Sequence, residues 1–486
     1  MSAELFVLMP PRGFRAADAF LTGALRNLFS SRARFPLRLP RVDLLDAIAD
    51  DGPRLVALHP DHAPRLRAAC PGLRVEPLRF FRPALAPPVR PETRPRVAAA
   101  ERLRRWALRV RDASTGAPVP GALVVVLTRA RDRAGVDAVT DASGIARFSL
   151  PASVVRSEQV LVYPKSGFWG LLRRNAPLAS LGEIRLRPAL PAWPGALRHF
   201  FGRPSDDAGS GVRVAIVDTG IDLHHPDLAV AGGQNTVVGE KPADFGDNGE
   251  GHGTHVAGIV AARGQPPRGF RGLAPAAELR SYRVFPKGRG EASNYAIAKA
   301  LDAAAHDRCD LINLSLGGGE PDAVLRAAIE HARGHGALVL AAAGNESRSP
   351  VSFPASDSLA LAVSAMGREG TFPPDSVEAL DVAPPRGRDR RDFVAAFSNV
   401  GIEMDLTAPG VGIVSTYPGG WAAMSGTSMA CPAAAGAAAA LLSRDPSLLR
   451  RKRDAERSAR MAALLLDSTR LLGFGPKFEG QGMPLP

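Results

Sequence analysis

A chain of 486 residues with 45 % hydrophobic and 22 % charged residues has room for about two to four globular domains, and excludes a disordered or collagen-like chain. Its three cysteines, Cys70, Cys309 and Cys431, are too few and too widely spaced for a disulfide framework or a structural zinc site, which fits a reduced compartment. The net charge of +13 is uneven: residues 1–194 carry 31 Lys/Arg against 16 Asp/Glu, or +15, and residues 195–486 carry 30 against 32, or −2.

Two readings of that asymmetry stand: a solvated arginine-rich surface, or a basic front half docked on a mildly acidic back half. The arginines are dispersed and no recognition motif accompanies them, so no nucleic-acid partner is expected. At the N-terminus the apolar run Leu5 to Met9 stops at Pro10 without a basic region before it. It reads as neither a standard signal peptide nor a membrane span, and no later segment reaches the ~20 apolar residues a span needs. The expectation is a cytoplasmic protein, or one exported without a standard signal peptide.

In chain order, residues 4–81 alternate short elements. The patterning predicts a strand at Leu5 to Met9, a helix at Arg15 to Ser30 and a hairpin from Val42 to Ile48 and Arg54 to Leu58. A helix at His62 to Cys70 and a strand at Leu73 to Phe81 follow. That βαββαβ order is the ferredoxin-like split unit, assigned to residues 1–85. Residues 86–104, rich in Pro and Arg, read as an exposed linker. Residues 105–188 switch to short strands, at Trp106 to Val110, Ala122 to Thr128, Val136 to Thr140, Ile145 to Leu150 and Gln159 to Tyr163, the pattern of a small antiparallel sandwich. The stretches Gly116-Ala117-Pro118-Val119-Pro120-Gly121-Ala122 and Thr140-Asp141-Ala142-Ser143-Gly144 resemble transthyretin-like accessory sandwiches.

A second proline-rich linker, 189–204, leads into residues 205–486. Here continuous Val/Ile/Leu/Ala strands alternate with helices, which predicts a three-layer α/β domain with a mostly parallel sheet covered on both faces. Reactive groups in such folds gather at the carboxyl ends of strands. The strand Val212 to Val217 ends in Asp218-Thr219-Gly220. Thirty-four residues later His252 enters a helix in Gly251-His252-Gly253-Thr254-His255. Asn345 ends another strand, in Ala343-Gly344-Asn345. Ser428, in Gly426-Thr427-Ser428-Met429-Ala430, precedes an alanine-rich helix, where backbone N–H groups and the helix dipole favour negative charge.

Singly, each residue reads as a cap or a turn; His252 and His255 at i and i+3 also suggest a metal pair, without a third ligand. Jointly, Asp, His and Ser in that order supply the orienter, base and nucleophile of acyl transfer. The blocks around Asp218, His252, Asn345 and Ser428 resemble the signature blocks of the subtilisin-like serine proteases, the subtilases. The resemblance implies a serine endopeptidase acting on protein or peptide substrates, with Asn345 in the oxyanion hole. It implies that Ser315, Leu316, Gly317 and Gly318 line the main substrate pocket, and that Gly288 to Gly290 forms the other edge for an extended peptide.

No cofactor is required for that chemistry. Asp227 matches one calcium ligand position of the family, but the loop Arg263 to Gly269 lacks its asparagine-rich pattern, so calcium is only weakly supported. Ala433 stands where the family usually has histidine. An insertion from Arg368 to Asp392 is expected as an exposed charged loop. The resemblance further implies that residues 4–81 form a propeptide-like domain acting as intramolecular inhibitor, with self-processing near Arg82 to Arg105. A silent scaffold on the same fold, or a processing enzyme for a single partner, are the competing readings.

Overall fold

The structure, a computed structural model, describes residues 3–16, 42–70, 72–95, 102–288 and 290–486. The expected helix at Arg15 to Ser30 lies almost wholly outside them.

Near the N-terminus, β1 (Glu4–Met9), β2 (Val42–Ala47), β3 (Arg54–Leu58) and β4 (Arg74–Pro77) form an antiparallel sheet in the order β2-β3-β1-β4. Val7, Leu8 and Met9 are fully buried, because both faces of the central strand are covered. Leu8 packs with Leu66 of the helix Ala63–Ala69. Val7, Met9 and Phe14 pack instead against the back half of the chain, in one cluster with Ala300, Leu301 and Ala328. The strand expected at Leu73 to Phe81 is two strands. Its first part is β4; its second, β5 (Phe80–Pro83), leaves the sheet and pairs with the large domain. Two separate sets of strand partners compete for this run, and the turn at Leu78-Arg79 gives each its share.

The middle domain packs two sheets around Val124, Val126, Val160, Val162, Ile184 and Leu186. One sheet has the order β11-β10-β7-β8, from Leu171–Pro177, Arg156–Tyr163, Leu123–Arg129 and Ala134–Val139. The other is β12-β6-β9, from Glu183–Leu186, Leu103–Asp112 and Ile145–Pro151. The sandwich is not wholly antiparallel, since β12 joins β6 in parallel. Strands β11 and β12 were not expected. Arginines at 173, 174 and 185 mask their patterning; all three are exposed, and the alternation of buried and exposed residues in β12 puts Arg185 on its outward face.

The back half is built on an eight-stranded sheet. Its order is β14 (Val230–Asn235), β15 (Glu278–Arg283), β13 (Arg213–Asp218), β17 (Leu311–Leu314), β19 (Leu338–Ala342) and β20 (Leu361–Arg368), with both β21 (Asp392–Val394) and β22 (Met404–Pro409) on β20. All pairs are parallel except β20 with β21. The helices His252–Ala261 and Thr427–Ser443 cover one face, with Val256, Ile259, Ala430 and Ala434 packed on Val214 and Ile216. Asn294–His306 and Ala323–Gly334 cover the other, against Ala215 and Val217. This is the expected three-layer arrangement. It brings the ends of β13, β17 and β19 to one edge.

The insertion Arg368 to Asp392 is not an exposed loop. Val377, Ala379 and Leu380 pack on Val125, Leu161 and Leu172 of the sandwich, and the Leu172 N–H donates to Asp375 at 2.7 Å. Its proline-rich, charged composition hid the three apolar side chains that dock it.

Candidate active site

Asp218 is the last residue of β13 and fully buried. Its Oδ1 accepts from the Thr219 N–H at 2.7 Å and from His252 Nδ1 at 2.6 Å. His252 opens its helix, and the turn before it depends on Gly251, whose φ is 75° and where an added Cβ would meet the Tyr417 ring at 2.3 Å. Asp247 secures that turn by accepting from the Gly251 N–H at 3.0 Å and the Thr254 hydroxyl at 3.2 Å. Burial pushes the Asp247 carboxyl up despite those bonds. Sequence reasoning missed this residue, whose Asp-Asn-Gly setting reads as an ordinary turn.

The other imidazole nitrogen, His252 Nε2, is buried and without a partner among the described residues. A ring that donates Nδ1–H to the carboxylate leaves the Nε2 lone pair open to a proton. His255 is no second ligand for a metal with His252. Its Nε2 lies 3.0 Å from the Ile413 carbonyl and 3.1 Å from the Ala422 carbonyl, deep in the core.

Ser428 stands in the first turn of Thr427–Ser443. Its hydroxyl donates to the Ser315 carbonyl at 3.0 Å, and its own carbonyl accepts from the Ser315 hydroxyl at 3.0 Å. Asn345, at the end of β19, accepts the Thr427 N–H on Oδ1 at 2.9 Å. With Oδ1 taken by Thr427, the neighbour of Ser428, the Asn345 amide nitrogen points the other way.

The cleft beside these groups is filled by the chain itself. Strand β5 lies antiparallel between β16 (Ala292–Ser293) and β18 (Leu316–Gly317), with Phe81 opposite Ala292, Arg82 opposite Gly317 and Pro83 opposite Leu316. The Ala84 N–H then donates to Ser315 at 3.0 Å, the Ser428 N–H donates to the Ala84 carbonyl at 3.1 Å, and the Ala86 N–H donates to Ser425 at 3.0 Å. Gly426 permits the approach, since a Cβ there would lie 2.7 Å from the Ala84 oxygen. Phe81 is 1 % exposed, its ring 6.2 Å from that of Phe353.

Ser315, Leu316 and Gly317 therefore border the bound segment, and Gly318 continues that edge with its N–H on the Phe353 carbonyl at 3.0 Å. Among the described residues, the pairing on the opposite side is made by Ala292 and Ser293. Gly288 sits in the turn before them, with its N–H on the Asn248 carbonyl at 3.2 Å; Gly290 packs on Pro286. Glycines signalled a backbone edge, but the pairing begins two residues later.

Asp227 is already engaged by protein donors. Its Oδ2 accepts from the Phe270 N–H at 2.8 Å and the Trp421 indole at 3.0 Å, and Gly264 and Gly269 pack against Oδ1. Among the described residues no group of three or more His, Cys, Asp or Glu is placed to hold a metal, and no helix is long and apolar enough to cross a membrane.

A buried carboxylate–imidazole pair beside a helix-borne serine, with a peptide paired as a strand across them, defines a serine hydrolase for extended polypeptides. Residues 209–482 match the Subtilase family. Subtilisin BL from Lederbergia lenta is 42 % identical over 241 residues, covering 49 % of this chain and 79 % of that protein. An alkaline protease from Shouchella clausii is 41 % identical over the same length, which is 49 % of this chain and 56 % of the relative. The chain belongs to the subtilase family and is a subtilisin-like serine endopeptidase.

Proposed function

We propose that the chain is a self-processing precursor that cuts its own Ala84–Leu85 bond, with Asp218, His252 and Ser428 as the triad. The single observation that carries this reading is the Ser428 N–H on the Ala84 carbonyl, with β5 already laid as a strand in the cleft. In the reaction the Ser428 hydroxyl turns from the Ser315 carbonyl to His252 Nε2 and gives it the proton as Oγ attacks the Ala84 carbonyl carbon. Asp218 holds the imidazole by Nδ1–H and stabilises its charged form. The Ser428 N–H and the Asn345 amide hold the oxyanion. As the Ala84–Leu85 bond breaks, His252 returns the proton to the Leu85 nitrogen. Water then repeats the cycle on the ester, leaving the Ala84 carboxylate and a free Ser428.

In this reading the segment up to Ala84 is a ferredoxin-like propeptide and intramolecular inhibitor. Its sheet order β2-β3-β1-β4 agrees with that assignment. Arg15 fixes it by a bidentate pair with Asp302, at 2.5 and 2.6 Å, and Lys299 pairs with Asp46 at 2.6 Å. Residues 105–188 are a transthyretin-like sandwich that stays with the enzyme. Ser315, Leu316, Gly317 and Gly318 form one substrate edge, and Gly288 and Gly290 shape the turn leading to the other.

Covalent labelling by a fluorophosphonate probe tests the nucleophile. Purified wild type is expected to label, and Ser428→Ala not to. Equal labelling of both, or of neither beside a labelled control protease, contradicts the assignment.

A further inference from the structure

Beyond Ala84 the chain does not leave the enzyme at once. The Ala86 N–H is held by Ser425 at 3.0 Å and the Val89 N–H by the Tyr163 hydroxyl at 3.1 Å, so residues 85–89 pass between the catalytic domain and the sandwich. Beneath them is a cavity of about 230 Å³, walled by Ser425, Tyr163, Phe168, Glu378 and Asp381. Ala86, half-buried on its edge, is too short to fill it.

The chemistry of this cavity is acidic. Glu378 is 5 % exposed and its Oε2 has no hydrogen-bond partner. Asp381, half-buried, has neither a hydrogen bond nor an ion pair through its side chain among the described residues. Among the described residues, Lys165 is the one cation on the cavity wall; it is exposed and forms no ion pair there. Burial, and for Asp381 also the neighbouring Glu378, pushes both carboxyls up. Burial also raises the Tyr163 phenol to about 12; the Val89 N–H opposes that rise, and Asp381 and Glu378 add to it. Two carboxyls in a partly dry cavity cannot both ionise cheaply unless a cation enters to complete them.

We propose that this cavity recognises a lysine or arginine side chain two residues after the bond to be cut, at the place Ala86 occupies. The inference rests on the reading of Ala84–Leu85 as the bond in the catalytic position. It makes the sandwich and the insertion parts of the substrate site, each supplying one wall: Tyr163 from the first, Glu378 and Asp381 from the second. The chain's own alanine there leaves the pocket unfilled, as suits a stretch that must vacate the cleft after the cut. An entering cation would ionise the carboxyls and displace their protons.

The test separates recognition from catalysis. In the uncut Ser428→Ala chain, Ala86→Lys is expected to melt about 2–4 °C above Ala86→Met, and Asp381→Asn or Glu378→Gln to erase that difference. Asp381→Asn keeps the side-chain volume and breaks no side-chain hydrogen bond, so it carries the test if Glu378→Gln does not fold. Equal melting of the Lys and Met variants overturns the pocket whether or not the enzyme is active. With processed wild type, peptides carrying Lys two residues after the cut are expected to be cleaved about tenfold faster than Ala peptides, through KM. A cleavage site elsewhere with the melting difference intact would overturn the scissile-bond reading and leave the cation pocket standing.

Discussion

The backbone N–H of Ser428 donates to the carbonyl oxygen of Ala84 at 3.1 Å, so the first turn of the serine's helix already grips a carbonyl of its own chain. What holds that carbonyl is strand pairing on both sides of β5 and the absence of a side chain at Gly426. Gly426→Ala would put a Cβ 2.7 Å from the Ala84 oxygen, with further contacts at 3.1 Å to Leu85 and Ala86. Displacing the bond by even a fraction of an ångström is expected to slow processing about 10²-fold. A time course of precursor conversion checks it, and conversion at the wild-type rate would contradict the proposed geometry.

Asn345 has two jobs that can be separated. Its Oδ1 holds the Thr427 N–H at 2.9 Å, and in the proposed reaction its amide nitrogen holds the oxyanion. Asn345→Asp keeps the acceptor and removes the donor, so the fold should persist while turnover falls. In a subtilisin, loss of such a donor costs ~10²–10³ in turnover. A fall in turnover on a peptide substrate with KM unchanged is the expected result; a change confined to KM would place Asn345 in binding.

Arg15 ties the N-terminal sheet to both Asp51, at 2.7 Å, and Asp302. The guanidinium side chain is 25 % exposed and that of Asp302 12 %, so the pair is partly screened and worth about 1–2 kcal/mol. In the uncut Ser428→Ala chain, Arg15→Ala should therefore raise the rate at which an added protease removes residues before Ala84 by roughly tenfold. An unchanged rate would show that the apolar contacts of Val7, Met9 and Phe14 suffice.

His255 predicts an acid limit to stability. Burial lowers its imidazole to about 3, opposed by its contacts with the Ala422 and Ile413 carbonyls and helped by His252. In the unfolded chain the ring titrates near pH 6.5, so between about 3 and 6.5 the unfolded state binds the extra proton. Stability is thus lost as pH falls through 6.5, by at most about 1.4 kcal/mol per pH unit from this residue. Urea midpoints of the Ser428→Ala chain at pH 7 and pH 5 should differ more than those of the same chain carrying His255→Gln.

The parallel sheet was legible because apolar strands and amphipathic helices alternate with little interruption after residue 212, and the chemical residues stand where strands end and helices begin. Asp218, His252 and Asn345 could be placed for that reason. Less was legible where a residue's partner lies far away in sequence. Leu73 to Phe81 reads as one strand because local patterning cannot tell that Val75 pairs inside the N-terminal sheet while Phe81 pairs with Ala292. The docking of Val377, Ala379 and Leu380 was hidden among prolines and charges for the same reason, and Gly288 to Gly290 drew the eye from Ala292 and Ser293. Asp247 shows a different limit: a capping carboxylate in a turn looks alike whether it supports a catalytic helix or nothing.

The central claim is that Ser428 cuts the bond its own N–H now presents. Intact mass and N-terminal sequence of the purified wild type, beside Ser428→Ala, test it most directly. The account predicts a wild-type chain beginning at Leu85, with a fragment ending at Ala84, and an uncut Ser428→Ala chain. Full-length mass in both proteins, or the same truncation in both, would contradict it.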